Sequence, residues 1–155
     1  MNAGPLLDSI VAALAEAGLE AILIGNAAAA IHGAPVTTVD FDFMFRSTPV
    51  NLTKLKKFAA KMDAVILRPY YPISALYRVM NDDRGVQVDF MPVVHGVKSF
   101  SSLRSRAVQV DLGQRKVWVA DLADIIASKR AAGRPRDKAV LEILEKTLRE
   151  KGKPQ

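Results

Sequence analysis

The segment VDFDFMF, residues 39–45, restricts the fold more than any other part of the sequence. Every second residue in it is large and apolar, and a period of two is typical of a β-strand whose two faces differ. One face would carry Val39, Phe41, Phe43 and Phe45. Asp40 and Asp42 would then share the other face, with Cβ atoms roughly 6–7 Å apart. We expect this acidic pair to have a partner, because an unpaired charge on a largely buried strand is costly.

The rest of the chain alternates between strand and helix patterns. Apolar residues at helical spacing predict a first helix around Leu6–Leu14 that stops at Gly18. Further helices are predicted over 26–32, 48–62, 121–132 and 135–150, with one helical turn within 98–106. Strands are predicted over 21–25, 39–45, 64–67, 75–81, 86–92, 107–112 and 115–120. At 155 residues, this order predicts one α/β (α+β) domain over 1–155, a small mixed sheet flanked by helices, with the helices of 121–150 packed on it.

Asp89 is a third aspartate in apolar surroundings, since it lies in the predicted strand VQVDFMP. Hard divalent cations prefer oxygen ligands. On neighbouring strands, Asp40, Asp42 and Asp89 would hold two Mg²⁺ or Mn²⁺ ions about 4 Å apart, which suits in-line phosphoryl displacement. On distant strands, each aspartate is more simply a structural residue with a local partner. The periodicity does not decide between the two.

A glycine turn precedes the acidic strand. The strand AILIG ends at Gly25, and the alanine-rich run that follows predicts a short helix. Glycine lets the backbone approach a ligand closely, and free N–H groups at a helix N-terminus bind phosphate. Asn26 would cap this helix or contact the same phosphate. Many strand–helix turns contain glycine, so this feature gains weight only from the Asp40–Asp42 pair downstream.

The charge distribution favours a polyanionic partner. The chain has a formal net charge of +6 and nine Lys and Arg residues between Lys129 and Lys153. Such a patch suits a nucleoside triphosphate or a nucleic acid, although a solvated basic tail explains it equally well. No segment approaches the ~20 apolar residues of a membrane span. The N-terminus has no basic region before its apolar residues, so we expect a cytoplasmic protein without a signal peptide.

The combined motifs resemble the nucleotidyltransferase superfamily. The run IGNAAAAIHGAPVTTVDFD is similar to its first signature, a strand ending in glycine, a short helix and a strand with Asp-x-Asp. The closest form is that of small prokaryotic AbiEii-like proteins, "GG-x-A … HG-x-x-R-x-T-x-D-x-D". The segment ADLADIIASKRAAGRPRDKAVLEIL resembles the family's "D-L-I-x-x-K-x-x-x-x-R-x-x-D". The matching residues are Gly25, Ala28, His32, Gly33, Thr38, Asp40, Asp42, Lys129, Arg134 and Asp137.

The resemblance implies a role for each matching position. Asp40, Asp42 and Asp89 would be catalytic and hold the metals, and Asp89 would help to deprotonate the acceptor hydroxyl. The phosphates would be bound by Gly25, Asn26, Thr38, Lys129 and Arg134. Asp137 would orient a basic side chain or the final helix, and His32 would support the phosphate turn or simply end its helix. Asn26 replaces the usual Ser or Gly, and Val36 stands where many relatives have arginine.

Two functions follow from this reading. The first is metal-dependent transfer of a nucleoside monophosphate from an NTP to a hydroxyl of an RNA, such as tRNA in the toxin relatives, or of a small molecule. The protein would then be a candidate toxin with an antitoxin partner, and a homodimer is considered because a domain of this size has little surface for a large acceptor. The second is a non-catalytic module that binds nucleotide or RNA, which the changes at Asn26 and Val36 favour.

Overall fold

The computed structural model describes residues 4–38, 40–69, 75–113 and 115–152. Val39, in the predicted acidic strand, and Lys153, in the basic segment, lie outside these ranges. The helices are α1 Gly4–Ala17, α2 Gly25–Ile31, α3 Pro49–Lys61, α4 Phe100–Arg106, α5 Leu122–Ala132 and α6 Pro135–Lys151. The strands are β1 Ile22–Ile24, β2 Phe41–Met44, β3 Val65–Leu67, β4 Tyr77–Asn81, β5 Val86–Met91, β6 Val108–Asp111 and β7 Lys116–Val119.

The seven described strands form one mixed sheet in the order β3-β4-β5-β2-β1-β7-β6. β2 is parallel to β5, and β1 is parallel to β7, while the remaining neighbours are antiparallel. The predicted mixed α/β fold is therefore confirmed. Chain-distant strands meet at the centre, which places β2 between β1 and β5 and brings the glycine turn beside both aspartate-bearing segments.

Local sequence accounts for most element boundaries. Thr48 accepts a hydrogen bond from the backbone N–H of Asn51 and caps α3. Pro135 occupies the first turn of α6, where its missing N–H costs nothing. The hairpin turn Asp82–Arg84 forms a short 3₁₀ segment that closes at Gly85, in the left-handed region. The expected single helical turn within 98–106 is instead the seven-residue α4, which Ser99 caps.

The core lies on both faces of the sheet and is rich in aromatic residues. Phe41, Phe43 and Phe45 are buried, as the alternation predicts. Phe90 of β5 stacks on Phe43 at 5.5 Å between ring centroids and meets Phe45 and Phe58 edge to face. Met44 is also buried although it shares the face of Asp42, so that face of β2 is covered at Met44 and only partly covered at Asp42. No helix among the described residues is long and apolar enough to span a bilayer.

Candidate active site

The glycine turn lies against the side chain of Asp42. β1 pairs with β2 so that Ile24 is opposite Asp42, and Gly25 is the next residue. Gly25 has φ +69°, which favours glycine, and a Cβ built on it would lie 3.1 Å from Oδ2 of Asp42. Glycine is therefore needed here both for its backbone conformation and for the close approach of the carboxylate.

The strands of two of the three aspartates are neighbours. Asp42 and Asp89 are register partners in the parallel pair β2–β5, so their backbones are separated by roughly one strand spacing, about 5 Å. Asp40 differs from the expectation. β2 begins only at Phe41, and Asp40 is exposed just before it. The position is held by Thr38, whose hydroxyl donates to the Asp40 carbonyl at 2.7 Å and accepts from its N–H at 3.2 Å.

Asp42 carries the electrostatic stress of the site. Burial, and then the negative charges of Asp89 and Asp40, raise the pKa of Asp42 from 3.8 to about 6. The positive charges of Lys129 and Arg78 offset this only in part, and within the described residues Asp42 belongs to no ion pair. A half-buried carboxylate beside two others favours a cation in the cleft that it faces.

Asp89 has a partner that the sequence reasoning missed. Arg78 of β4 lies opposite Asp89 in the antiparallel ladder. Its Nε donates to Oδ1 at 2.9 Å and its Nη2 to Oδ2 at 3.1 Å, so both carboxylate oxygens are engaged. The hydrogen bond with Asp89 raises the pKa of Arg78 above its ordinary value. The hairpin register was the available signal, because pairing through the Asp82–Gly85 turn puts residue 78 opposite residue 89.

The metal-binding role of Asp40, Asp42 and Asp89 stays a prediction. Among the described residues, no group of three His, Cys, Asp or Glu side chains is arranged to hold a metal ion. Asp40 lies outside the strand, and Asp89 faces Arg78. The donor chemistry nevertheless fits a divalent cation, since Asp42 is a crowded carboxylate without an ion-pair partner in the described structure.

The turn after β1 also holds an unsatisfied polar atom. Asn26, the second residue of α2, lines the cleft, and its Oδ1 is buried without a hydrogen-bond partner in the described structure. Asn26 does not cap α2 through its side chain, because the cap position is Ile24 and no side-chain bond is made there. The amide is therefore left to face the cleft.

The basic residues of the second motif meet around a buried aspartate. Asp137 has only 1% of its surface exposed. It accepts from the Arg134 backbone N–H at 3.2 Å and from Arg134 Nη2 at 3.1 Å, and Lys129 Nζ lies 3.8 Å away. Burial alone would raise the pKa of Asp137, but the hydrogen bonds from Arg134 outweigh it and lower that pKa. Burial lowers the pKa of Lys129, and the negative charges of Asp137 and Asp42 oppose that shift.

The two histidines have different positions. His32 ends α2, and its ring bridges Ala120 O at 2.8 Å and Lys151 Nζ at 2.7 Å. It does not line the cleft, so the structure places it under the turn and against α6 rather than toward a phosphate. His95 is exposed and lines the cleft after β5. Val36 packs against the core, where an arginine would have to reach outward.

The three aspartates and the basic residues around Asp137 line one cleft of about 550 Å³. One wall is the Gly25 turn with Asp42 and Asp89, and another is formed by the α5–α6 junction with Lys129, Arg134 and Arg136. The third wall is apolar, from Leu76, Val93, Val94 and Val97. The arrangement offers carboxylates to a cation, amides and cations to phosphates, and apolar contact to a ring or sugar.

Solved structures share this fold at low sequence identity. The antibiotic-resistance factor ANT(2'')-Ia in solution matches with a TM-score of 0.65 and 14% identity, covering 94% of this chain and 83% of that chain. The crystal structure of ANT(2'')-Ia in complex with adenylyl-2''-tobramycin matches with a TM-score of 0.65 and 15% identity, over 94% and 88%. TM1012 of Thermotoga maritima, provisionally assigned as a nucleotidyltransferase, gives 0.60 and 16%, over 94% and 92%.

The fold is therefore that of the nucleotidyltransferases, as the resemblance implied. No curated protein sequence matches the chain significantly. The family model for nucleotidyl transferases of unknown function (DUF2204) matches residues 5–153, and the chain belongs to that family. The AbiEii-like form suggested by the first motif is a finer assignment than these findings reach.

Proposed function

We propose that the protein transfers a nucleoside monophosphate from an NTP to a hydroxyl group with the help of a divalent cation. The observation that carries the proposal is the placement of Asp42 beside Asp89 directly under the Gly25 turn. Family membership supports the reaction class. In the step itself, the acceptor oxygen would bond to the α-phosphorus, the bond to pyrophosphate would break, and Asp89, once released from Arg78, would take the hydroxyl proton.

The residues that would hold Mg²⁺ or Mn²⁺ are Asp42, Asp40 and, once released from Arg78, Asp89. A bound divalent cation would supply charge neutralisation at the phosphate oxygens. Two cations in this cleft remain our expectation from the three carboxylates. The exposed position of Asp40 suits a ligand that completes a coordination shell from the solvent side.

The phosphates would occupy the space between the Gly25 turn and the α5–α6 junction. Gly25 exposes its backbone, and the buried amide of Asn26 faces the same space. Lys129 and Arg134 approach from the opposite wall, fixed by Asp137. Thr38 acts through the backbone of Asp40, which it holds with two hydrogen bonds. His32 supports the turn from below through Ala120 and Lys151.

For the acceptor we propose an RNA hydroxyl. The cleft-lining carboxylates other than the three aspartates already have partners, Asp124 with Arg106 at 2.8 Å and Asp137 with Arg134. A polycationic acceptor such as an aminoglycoside would need free carboxylates, whereas the exposed Arg136 and Lys138 at the start of α6 suit a polyanion. A small uncharged hydroxyl compound is the remaining acceptor class.

A toxin role is the finer form of this proposal. If the acceptor is tRNA, transfer would block its use, and a partner antitoxin would be required. Induced expression is then expected to arrest growth with the wild-type chain but not with Asp42→Ala. Normal growth with an active wild-type enzyme would remove the toxin role and leave the transferase intact. The cytoplasmic location and the homodimer stay predictions, which fractionation and light scattering test.

The transfer itself is tested with each α-labelled NTP, Mg²⁺ or Mn²⁺, and three acceptors in parallel: total RNA, tobramycin and buffer alone. We expect label on RNA, lost in Asp42→Ala and retained in Asp8→Ala, an exposed aspartate of α1 that does not line the cleft. Label on tobramycin alone would refute RNA as the acceptor, and no label in any reaction would refute the nucleotidyltransferase activity.

The second candidate is a nucleotide- or RNA-binding module without turnover. The Arg78–Asp89 pair favours it, because each oxygen of Asp89 already accepts a hydrogen bond from Arg78 and the guanidinium charge opposes a proton or a cation there. The substitutions Asn26 and Val36 favour it too. Saturable NTP binding without transfer, unchanged in Asp89→Asn, would establish this candidate.

A further inference from the structure

Arg78 occupies Asp89, one of the three carboxylates that the proposed reaction uses. Its guanidinium forms the two-pronged contact with Asp89 described above, at 2.9 and 3.1 Å. Asp89 is 6% exposed, so an approaching cation finds its oxygens already bonded and largely covered. In the described structure, no arginine or lysine side chain forms an ion pair with Asp42. The ion pair is thus selective for one member of the carboxylate set.

The guanidinium is free to leave because of where it lies. Arg78 has 32% of its side chain exposed and lines the cleft, whereas the Asp89 side chain is 9% exposed. β4 and β5 form the hairpin closed by Asp82–Gly85, so the backbones of the pair are fixed by the ladder. A change of partner therefore requires only a rotation of the long arginine side chain into the cleft.

A phosphate is the natural second partner for this group. The planar guanidinium fork fits two oxygens of a phosphate as well as two of a carboxylate. Arg78 lines the same cleft as the residues of the proposed phosphate space. An arriving triphosphate would compete with Asp89 for the guanidinium fork, and a released Asp89 would then be available to a cation.

We propose that Arg78 is a latch that keeps Asp89 closed to divalent cations until a triphosphate draws its guanidinium away. The inference rests on the proposed function. Its consequence is coupling: the nucleotide would bind more tightly when the cation is at Asp89, and the cation would bind more tightly when the nucleotide is present. Coupling of this kind is typically 5- to 150-fold in affinity, and it would prevent the free protein from assembling a reactive centre without substrate.

The test measures Mn²⁺ affinity by calorimetry and electron paramagnetic resonance for the wild type and Arg78→Met. Each protein is titrated alone and with exchange-inert cobalt(III) ammine complexes of the nucleoside triphosphates, which carry their own metal and leave Mn²⁺ to report on the protein carboxylates. Without nucleotide, Arg78→Met should bind Mn²⁺ at least about fivefold more tightly than the wild type. With the inert nucleotide, the difference should fall below about twofold.

The control is Arg106→Met. Arg106 also pairs with a cleft-lining aspartate, Asp124, at 2.8 Å, but outside the Asp42–Asp89 pair. Its Mn²⁺ affinity should equal that of the wild type under both conditions. Arg78→Lys is the second variant if Arg78→Met does not fold, because lysine keeps the positive charge and loses the guanidinium fork. Like Arg78→Met, it should bind Mn²⁺ more tightly than the wild type.

The outcomes separate the latch from simpler effects. A constant gain in Mn²⁺ affinity for Arg78→Met, with and without nucleotide, would mean that only the loss of a positive charge matters, and the latch would be wrong. Equal or weaker Mn²⁺ binding in the variants would make Arg78 a permanent structural partner. If neither the wild type nor the variants bind Mn²⁺ under any condition, the metal-dependent function fails and the latch fails with it.

Discussion

The tightest geometric requirement of the site is the missing side chain at Gly25. Gly25→Ala would meet two penalties. A non-glycine residue in the left-handed region costs about 1–2 kcal/mol, and the new Cβ would lie 3.1 Å from Oδ2 of Asp42. The carboxylate would have to move by a few tenths of an ångström, which we take as about 1 kcal/mol more.

Gly18→Ala is a matched control for the backbone penalty. Gly18 has φ +68°, almost the same as the +69° of Gly25, but a Cβ there has nothing within 4 Å. Thermal unfolding followed by circular dichroism should therefore show a lower Tm for Gly25→Ala than for Gly18→Ala. A difference of about 1 kcal/mol corresponds to about 2–4 °C for a domain of this size.

A double-mutant cycle with Asp42→Ala isolates the contact. In that background the carboxylate is gone, and the two glycine substitutions should destabilise the protein equally. Nucleotide transfer should fall about tenfold to a hundredfold in Gly25→Ala, because a displaced carboxylate misaligns the reacting groups. Gly18→Ala should keep its rate. Equal melting temperatures for the two single variants would refute the close approach of Asp42 to the turn.

Three further predictions concern charge and capping. In EDTA, the pKa of Asp42 is about 6 in the folded protein against 3.8 in the unfolded chain, so its contribution to stability is complete below about pH 4 and is lost as the pH rises through 6. At about 1.4 kcal/mol per pKa unit the contribution is at most about 3 kcal/mol, and partial exposure of Asp42 reduces it to about 1 kcal/mol. Asp42→Asn should then raise the Tm at pH 7.5 but not at pH 3.5, and a lower Tm at pH 7.5 would contradict this. Asp137→Ala should cost about 3 kcal/mol in urea unfolding, since it leaves the largely buried Lys129 ammonium unpaired and removes the acceptor of the Arg134 backbone N–H. Asp121→Ala, whose side chain makes no cap bond, should cost under about 0.5 kcal/mol, and similar losses in the two variants would refute the network. Thr48→Ala should cost about 1 kcal/mol through the lost bond to Asn51, and an unchanged urea midpoint would show that water replaces the cap.

Much of the fold was predictable because its determinants are local. Alternation in residues 39–45 predicts β2 to within two residues, since a half-buried strand must alternate. Pro135 predicts where α6 begins, because proline at the first position of a helix costs no hydrogen bond. Such signals act over a few residues, so sequence spacing is enough to read them.

The candidate site was predictable only in part. The motifs brought Gly25, Asp42 and Asp89 to attention, and the sheet does place them together. The exposure of Asp40 was missed because a strand pattern does not show where hydrogen bonding starts. The partner of Asp89 was not predicted, because Arg78 lies on the other strand of the hairpin and only the register of β4 against β5 puts the two residues opposite each other.

The sequence by itself determined the elements, their order and the kinds of groups that the cleft would carry. The tertiary structure alone decided the strand order β3-β4-β5-β2-β1-β7-β6, which makes β2 and β5 neighbours across more than forty residues of chain. It also decided which charges meet: Asp89 with Arg78, Asp137 with Arg134 and Lys129, and His32 with Lys151. Periodicity specifies the face on which a residue lies, whereas electrostatic partners depend on which faces the folded chain brings together.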